Sequence, residues 1–215
     1  MAKPPPPPAP TLVLLVRHGQ TATTGTLLPG RAPGLHLADT GRAQADKAAA
    51  RIGAMGEIAA VYASPLERTQ ETAAPIARAV GRRVRTSKGL LECEFGEWTG
   101  RKLKDLYKLP EWKTVQGAPS VFRFPGGESF TEMQTRMCGE IARLVAAHPG
   151  ERIVCVSHAD PIKAAVAQAQ GTHLDLFQRI VISPCSITPI LYGPGVPIVL
   201  AVNSTGDDLS SLAPS

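Results

Sequence analysis

The chain has 215 residues, 43% of them hydrophobic and 19% charged, enough for one globular domain with a real core and at most a small appendage. Its net charge of +5 is carried by dispersed lysines and arginines, and aromatics make up only 5% of the chain. With no basic block interleaved with aromatics, nucleic acid is excluded as a partner and mild attraction for small anions is left, while no apolar stretch approaches membrane-spanning length.

Residues 1–10 contain the run Pro4 to Pro8, which favours an extended polyproline II conformation without core contacts. A disordered, solvated tail is expected there, because one proline run without flanking specificity residues is weak evidence for a partner. Lys3 followed by the apolar Leu12 to Val16 imitates an export signal. The apolar run is too short, prolines interrupt the approach to it, and no small-residue cleavage site follows before Arg17. Cys93, Cys138, Cys155 and Cys185 form no CxxC pair, so a reducing cytoplasm fits best.

Leu12–Val16 reads as a buried strand. Thr40–Ala54 reads as an alanine-rich helix ending near Gly56, and Ile58–Tyr62 as a second strand. Ser64-Pro65-Leu66-Glu67 offers an N-cap serine, a first-turn proline and a capping-box glutamate for a helix that runs to about Val80. Arg83–Thr86 is a weak strand. Gly96 to Gly127 is punctuated by glycine and proline and reads as a loop-rich insertion covering the site, with a short helix near Lys102–Lys108. Ser129 to Glu132 repeats the capping-box pattern, and Met133, Met137, Ile141, Leu144 and Val145 follow at helical spacing as core-facing residues. Ile153–Val156 is a buried strand leading to Ser157-His158. Asp160-Pro161 reads as an N-cap and first-turn pair opening the next helix. Ile187–Tyr192 and Ile198–Val202 read as final strands, and residues 203–215 as a flexible polar tail. The alternation predicts an α/β fold: a single-domain three-layer α/β/α sandwich over residues 11–202 with a mainly parallel sheet.

Four segments share one position, a strand end or the turn after it: Arg17-His18, Ser64 to Arg68, Glu92 to Gly96, and Ser157-His158. Strand C-terminal ends gather on one edge of such a sheet, where ligands bind. A neutral imidazole can attack a phosphoryl group, and the forked donors of arginine suit phosphate oxygens. Helix N-termini nearby add backbone donors for an anion.

The chain resembles the histidine phosphatase superfamily, the group that includes phosphoglycerate mutase-like enzymes. The matching segments are Leu15-Val16-Arg17-His18-Gly19-Gln20-Thr21, Leu37 to Ala45, Ser64 to Thr69 with Glu71-Thr72, Leu91 to Trp98, Pro125 to Ser129, and Val156-Ser157-His158. The resemblance implies that His18 is the nucleophile and becomes phosphohistidine. It implies that Arg17, Arg68 and His158 hold the phosphoryl oxygens, and that Glu92 protonates the leaving oxygen and then activates water. Leu90, Leu91, Phe95 and Trp98 give Glu92 an apolar setting that raises its pKa. No metal and no cofactor are required, because the arginines and His158 supply the positive charge. Asp160 is a second candidate donor, with helix capping the competing role. His36, His148 and His173 are peripheral.

The family often carries asparagine six residues after the nucleophile, and here that position is Thr24. Gln20, Thr21, Thr24 and Arg31 are candidate substrate contacts. The segment after Gly100 lacks the longer insertion and paired arginines associated with true phosphoglycerate mutases. A shorter cover admits water, so the expected activity is hydrolysis of a small phosphorylated metabolite, with a phosphomutase as the alternative. A non-catalytic phosphate-ligand binding module is a third reading, opposed by the intact set of nucleophile, clamp and acid. A homodimer is left open.

Overall fold

The computed structural model describes residues 9–206; the proline run 4–8 and the segment 207–215 lie outside the described residues. The chain runs β1 (Thr11–Arg17), α1 (Asp39–Gly53), β2 (Ala60–Ala63), α2 (Glu67–Ala79), β3 (Val84–Thr86), α3 (Leu103–Leu106), α4 (Trp112–Gly117), α5 (Phe130–Ala147), β4 (Arg152–Ser157), α6 (Ala159–Ala169), β5 (Ile187–Tyr192) and β6 (Ile198–Val199).

The six strands form one sheet in the order β3-β2-β4-β1-β5-β6. The first four of that order are mutually parallel, and β5 and β6 join antiparallel at one edge. Val13, Leu14, Leu15 and Val16 are all buried, as expected of a strand covered on both faces. Val13, Leu15, Ile153 and Cys155 pack with Met137 and Ile141 of α5 and with Ile162 and Val166 of α6. Leu14, Val16, Val61 and Val154 pack with Ile52 of α1 and Ile76 of α2 on the opposite face. Side chains alternate across a strand, so two apolar stripes from one sheet need two helical layers, and the three-layer sandwich follows. Truncating Ile52 or Ile141 to alanine costs about 2–5 kcal/mol.

Register aligns the strand ends that matter. Arg17 pairs with Ser157, and Ala63 pairs with both Val156 and Thr86. The residues that follow, His18, Ser64 and His158, therefore emerge side by side on one edge.

The insertion is more ordered than its glycine and proline content suggests. Phe95, Phe124, Phe130 and Phe177 form a chain of edge-on aromatic contacts, with centroids 4.9 to 5.1 Å apart. Trp98 and Phe122 join that cluster. The short helix expected near Lys102–Lys108 is α3, and a second, α4, was not anticipated.

One local expectation holds and three change. The Ser129–Glu132 capping box is present in both directions, 3.1 and 2.9 Å. Ser64, by contrast, is not the N-cap: that position of α2 is Leu66, without a side-chain bond, and Ser64 Oγ only accepts Leu66 N–H at a long 3.4 Å. Asp160 is not an N-cap either, because α6 already begins at Ala159 with His158 at its N-cap and Asp160 in the first turn. The last strand stops at Val199. Beyond it, Asn203 and Ser204 are hydrogen-bonded to the body, through Ser183 and Thr188 for one and Ile187 and Arg51 for the other.

Candidate active site

The loop after β1 is held by backbone bonds on two sides. His18 N–H donates to Ser157 O at 2.9 Å. Gly19 N–H donates to Thr72 Oγ1 at 3.0 Å, and that hydroxyl donates on to Arg68 O at 2.7 Å. The loop lies directly on the first turn of α1. A Cβ on Gly19 would meet Gly41 O at 2.5 Å, and one on Gly41 would meet Gln20 O at 2.0 Å. Both glycines are needed for this approach, which accounts for the glycine in each of two separate motifs.

His18 Nδ1 lies 2.7 Å from Gly19 O. A carbonyl only accepts, so Nδ1 carries the proton and Nε2 keeps its lone pair. Burial, reinforced by Arg68 and Arg17, holds the imidazole pKa well below its ordinary value. His18 is thus neutral and oriented, as a nucleophile must be.

Arg17 and Arg68 flank it. Arg68 is fully buried; its Nη2 donates to Gly30 O at 2.7 Å and approaches His158 Nδ1 at 3.2 Å. Guanidinium nitrogens only donate, so His158 Nδ1 is an acceptor and its proton sits on Nε2, 2.9 Å from Ser64 Oγ. Burial and Arg68 hold His158 well below its usual pKa, in keeping with this neutral tautomer. The rings of His18 and His158 are 5.2 Å apart.

Arg17 is gripped by the segment before β5. Its Nη1 donates to Ile182 O at 2.7 Å, its N–H to Ser186 O at 3.3 Å, and its carbonyl accepts Cys185 N–H at 3.1 Å. Arg17 Nε and both Nε and Nη1 of Arg68 are buried and have no hydrogen-bond partner among the described residues. Buried charged donors left unpaired cost several kcal/mol, roughly, so their persistence marks a place built to receive an anion.

Glu92 follows the turn after β3. Its Oε1 accepts Cys93 N–H at 3.0 Å, and its carbonyl is held by Arg31 Nε at 2.8 Å and Arg136 Nη2 at 3.2 Å. Burial first, and then the nearby Asp160 carboxylate, pushes the Glu92 carboxyl up to about 7 against the opposing effect of the Cys93 N–H and the arginines. The group holds its proton near neutrality and can give it up.

Arg17, His18, Arg68 and Glu92 line one cleft of about 390 Å3, together with Thr21 and Thr24. Thr24 Oγ1 lies 2.9 Å from Thr21 N and 3.0 Å from Thr21 Oγ1, so the hydroxyl at the family's asparagine position braces the loop. His158 is enclosed behind Arg68 and is not part of the cleft wall. Expected to hold phosphoryl oxygens, His158 is thus one of three expected substrate contacts outside the cleft wall, with Arg31 and Gln20. Arg31 is bound by Glu128 at 2.9 Å and Glu94 at 3.3 Å, so its charge is spent on holding Glu92. Gln20 is outside the cleft wall; its backbone is fixed by Gln44 Oε1 at 3.0 Å and by Ala38.

Four contributors escaped the sequence reading. Ser64 hid behind its apparent role as a helix cap, and Thr72 within a motif that had no assigned role. Arg136 lies seven residues beyond the cap of α5 and carries no sequence signal. Lys163 joins the cleft wall one turn after Asp160, 3.4 Å from its carboxylate.

A family model for the histidine phosphatase superfamily (branch 1) matches residues 13–205. A bifunctional protein of Mycobacterium tuberculosis is 33% identical over 201 residues, which cover 92% of this chain and 55% of that relative, so the chain spans about half the length of such curated relatives. Phosphoglycerate mutase-like protein 4 of Arabidopsis thaliana is 32% identical over 162 residues, covering 74% of this chain and 70% of the relative. A phosphoserine phosphatase structure from Entamoeba histolytica, in complex with phosphoserine, superposes with a TM-score of 0.81 at 26% identity, covering 91% of this chain and 98% of that one. The chain belongs to the histidine phosphatase superfamily, in its branch 1.

Proposed function

We propose that this chain hydrolyses small phosphomonoesters through a phosphohistidine formed on His18. The observation that carries the reading is the open Nε2 of a neutral His18 beside the unpartnered buried donors of Arg17 and Arg68. Nε2 attacks phosphorus, forming an N–P bond as the P–O ester bond breaks, and Glu92 gives its proton to the departing oxygen. The Nδ1–H bond to Gly19 O supports the positive charge that develops on the ring. Glu92, now ionised, takes a proton from water as that water attacks phosphorus and the N–P bond breaks. Arg17 and Arg68 bind the phosphoryl oxygens and stabilise charge in the transition state, and His158 holds Arg68 in register. The charge supplied by the two arginines makes metal-independent chemistry the economical reading. The four cysteines are all free, which fits a cytoplasmic enzyme, and no helix among the described residues is long and apolar enough to cross a membrane.

His18→Ala is expected to lower phosphate release from phenyl phosphate by at least about 10³-fold and to abolish acid-labile labelling of the protein by phosphate. Release at the wild-type rate would refute the assignment. A phosphomutase is the second reading, favoured by the mutase-like Arabidopsis relative. It requires phosphate to reach a second position of the same substrate faster than it is lost to water. Product-isomer analysis beside phosphate release separates the two.

A further inference from the structure

The charges in and around the cleft set what body the phosphate can be attached to. Among the described residues that line it, the cations are Arg17, Arg68 and Lys163. Lys163 is already engaged: its Nζ lies 3.4 Å from Asp160 Oδ1 and donates to Gln178 Oε1 at 3.0 Å. Arg31, behind the wall, is held by Glu94 and Glu128. Two guanidinium groups are therefore left, and they match the two negative charges of one phosphomonoester. Among the described residues that line the cleft, a second anionic group on the ligand would find no further unengaged cation. It would also meet the Asp160 carboxylate at the cleft wall.

Beside the hydroxyls of Thr21 and Thr24 and the Gln178 amide, the wall carries a set of large apolar side chains. Leu27 and Leu28 come from the segment after β1, Phe95 from just before the insertion and Leu103 from within it, and Ile180 and Val181 from the segment before β5. Val181 is 63% exposed, an uncovered apolar side chain on a surface that also binds. Placing a carboxylate against these apolar side chains costs part of its hydration, whereas an alkyl or aryl body loses only unfavourable contact with water.

We infer that the cleft selects phosphomonoesters of apolar alcohols or phenols and discriminates against phosphorylated hydroxy acids, taking hydrolysis at His18 as given. Lys163 and Asp160 are the specificity-determining pair, acting as a neutral unit.

The test compares n-butyl phosphate with 3-phosphoglycerate and O-phosphoserine, which all release a primary alkoxide. The wild type is expected to show kcat/KM about tenfold or more higher for the butyl ester. Asp160→Asn, which unpairs Lys163, is expected to narrow that ratio about tenfold, whatever it does to both rates together. Equal or better turnover of the acids by the wild type overturns the inference and leaves the phosphatase reading intact. Binding of benzylphosphonate against 3-phosphonopropionate, by calorimetry, needs no turnover. Tighter benzylphosphonate binding without hydrolysis of any ester would sink the phosphatase reading and keep the selectivity. Equal or tighter binding of the carboxylated compound sinks the selectivity, and binding of neither overturns both.

Discussion

Glu92 Oε2 and His158 Nδ1 stand 4.0 Å apart without forming an ion pair, because Nδ1 is occupied by a guanidinium N–H of Arg68. Each group is displaced toward its neutral form, the carboxyl up to about 7 and the imidazole well below its usual value. A carboxylic acid is thus kept beside a histidine without surrendering its proton to it.

The activity profile follows from that arrangement. In the proposed hydrolysis Glu92 acts first as an acid, so kcat/KM should fall as pH rises through about 7, approaching tenfold per pH unit. The His18 pKa is depressed by burial and the arginines, so its imidazole remains unprotonated, and free for the proposed attack, to well below pH 6.5. Measured with phenyl phosphate from pH 4.5 to 9, the alkaline limb belongs to Glu92. A profile flat to pH 9 would remove Glu92 from the role.

Stability should carry the same signature with a definite sign. A carboxyl raised in the folded state binds more protons there than in the unfolded chain, between an ordinary value near 4.5 and about 7. Folding stability attributable to Glu92 therefore falls as pH rises through that window and levels off above it. The full difference is on the order of 3 kcal/mol. Glu92→Gln cannot ionise, so its stability relative to the wild type should rise across the window and be greatest at pH 8. Urea titrations of both proteins at pH 5 and pH 8 read this directly. A stability difference independent of pH contradicts the buried, proton-holding carboxyl.

The first turn of α1 offers a test of the loop that carries His18. A Cβ at Gly41 would lie 2.0 Å from Gln20 O, a backbone atom that can yield only by moving the loop. Gly41→Ala should reduce kcat/KM for phenyl phosphate by about 10–100-fold, since displacements near 1 Å are costly in a phosphoryl-transfer site. Gly53→Ala, on the same helix, makes only ordinary contacts, with Ala79 Cβ at 3.4 Å and Ala79 O at 3.7 Å, and should leave activity unchanged while favouring the helix. Similar activities in the two variants would show that the loop tolerates the displacement.

Gly41 also shows what the sequence made legible. The strand ends, the order of the motifs and the apolar stripes of α5 and β4 are local patterns, and each led to the element expected. The placements that depend on distant partners were not local. Ser64 has the residue type and spacing of a helix cap, yet a buried imidazole ninety-four positions away claims its hydroxyl. Arg31 carries a free charge on paper, but Glu94 and Glu128 are folded against it by the aromatic cluster of the insertion. Asp160 before Pro161 reads as a cap until His158 takes that place. At Ser64 and Arg31 local rules failed because a polar side chain had two possible partners and tertiary structure chose the remote one.

The grip on Arg17 leads to Asn203, beyond the last strand. Asn203 Oδ1 accepts Ser183 N–H at 2.5 Å, and its own N–H donates to Thr188 Oγ1 at 3.1 Å. Ser183 opens the turn whose Cys185, at φ 54°, donates to the Arg17 carbonyl. Cys185 is strained in this left-handed conformation, whereas asparagine tolerates its own φ of 58°. Asn203 therefore positions Arg17 at second hand, and Asn203→Ala should raise KM for phenyl phosphate more than it lowers kcat, with kcat/KM down about tenfold. Asn203→Asp keeps an acceptor oxygen and should recover most of that loss. Asn203→Gly relieves the backbone but supplies no acceptor, and should not. If Asn203→Ala melts earlier yet keeps its kcat and KM at 25 °C, the residue only pins the segment after β6, and the turn holds Arg17 without it.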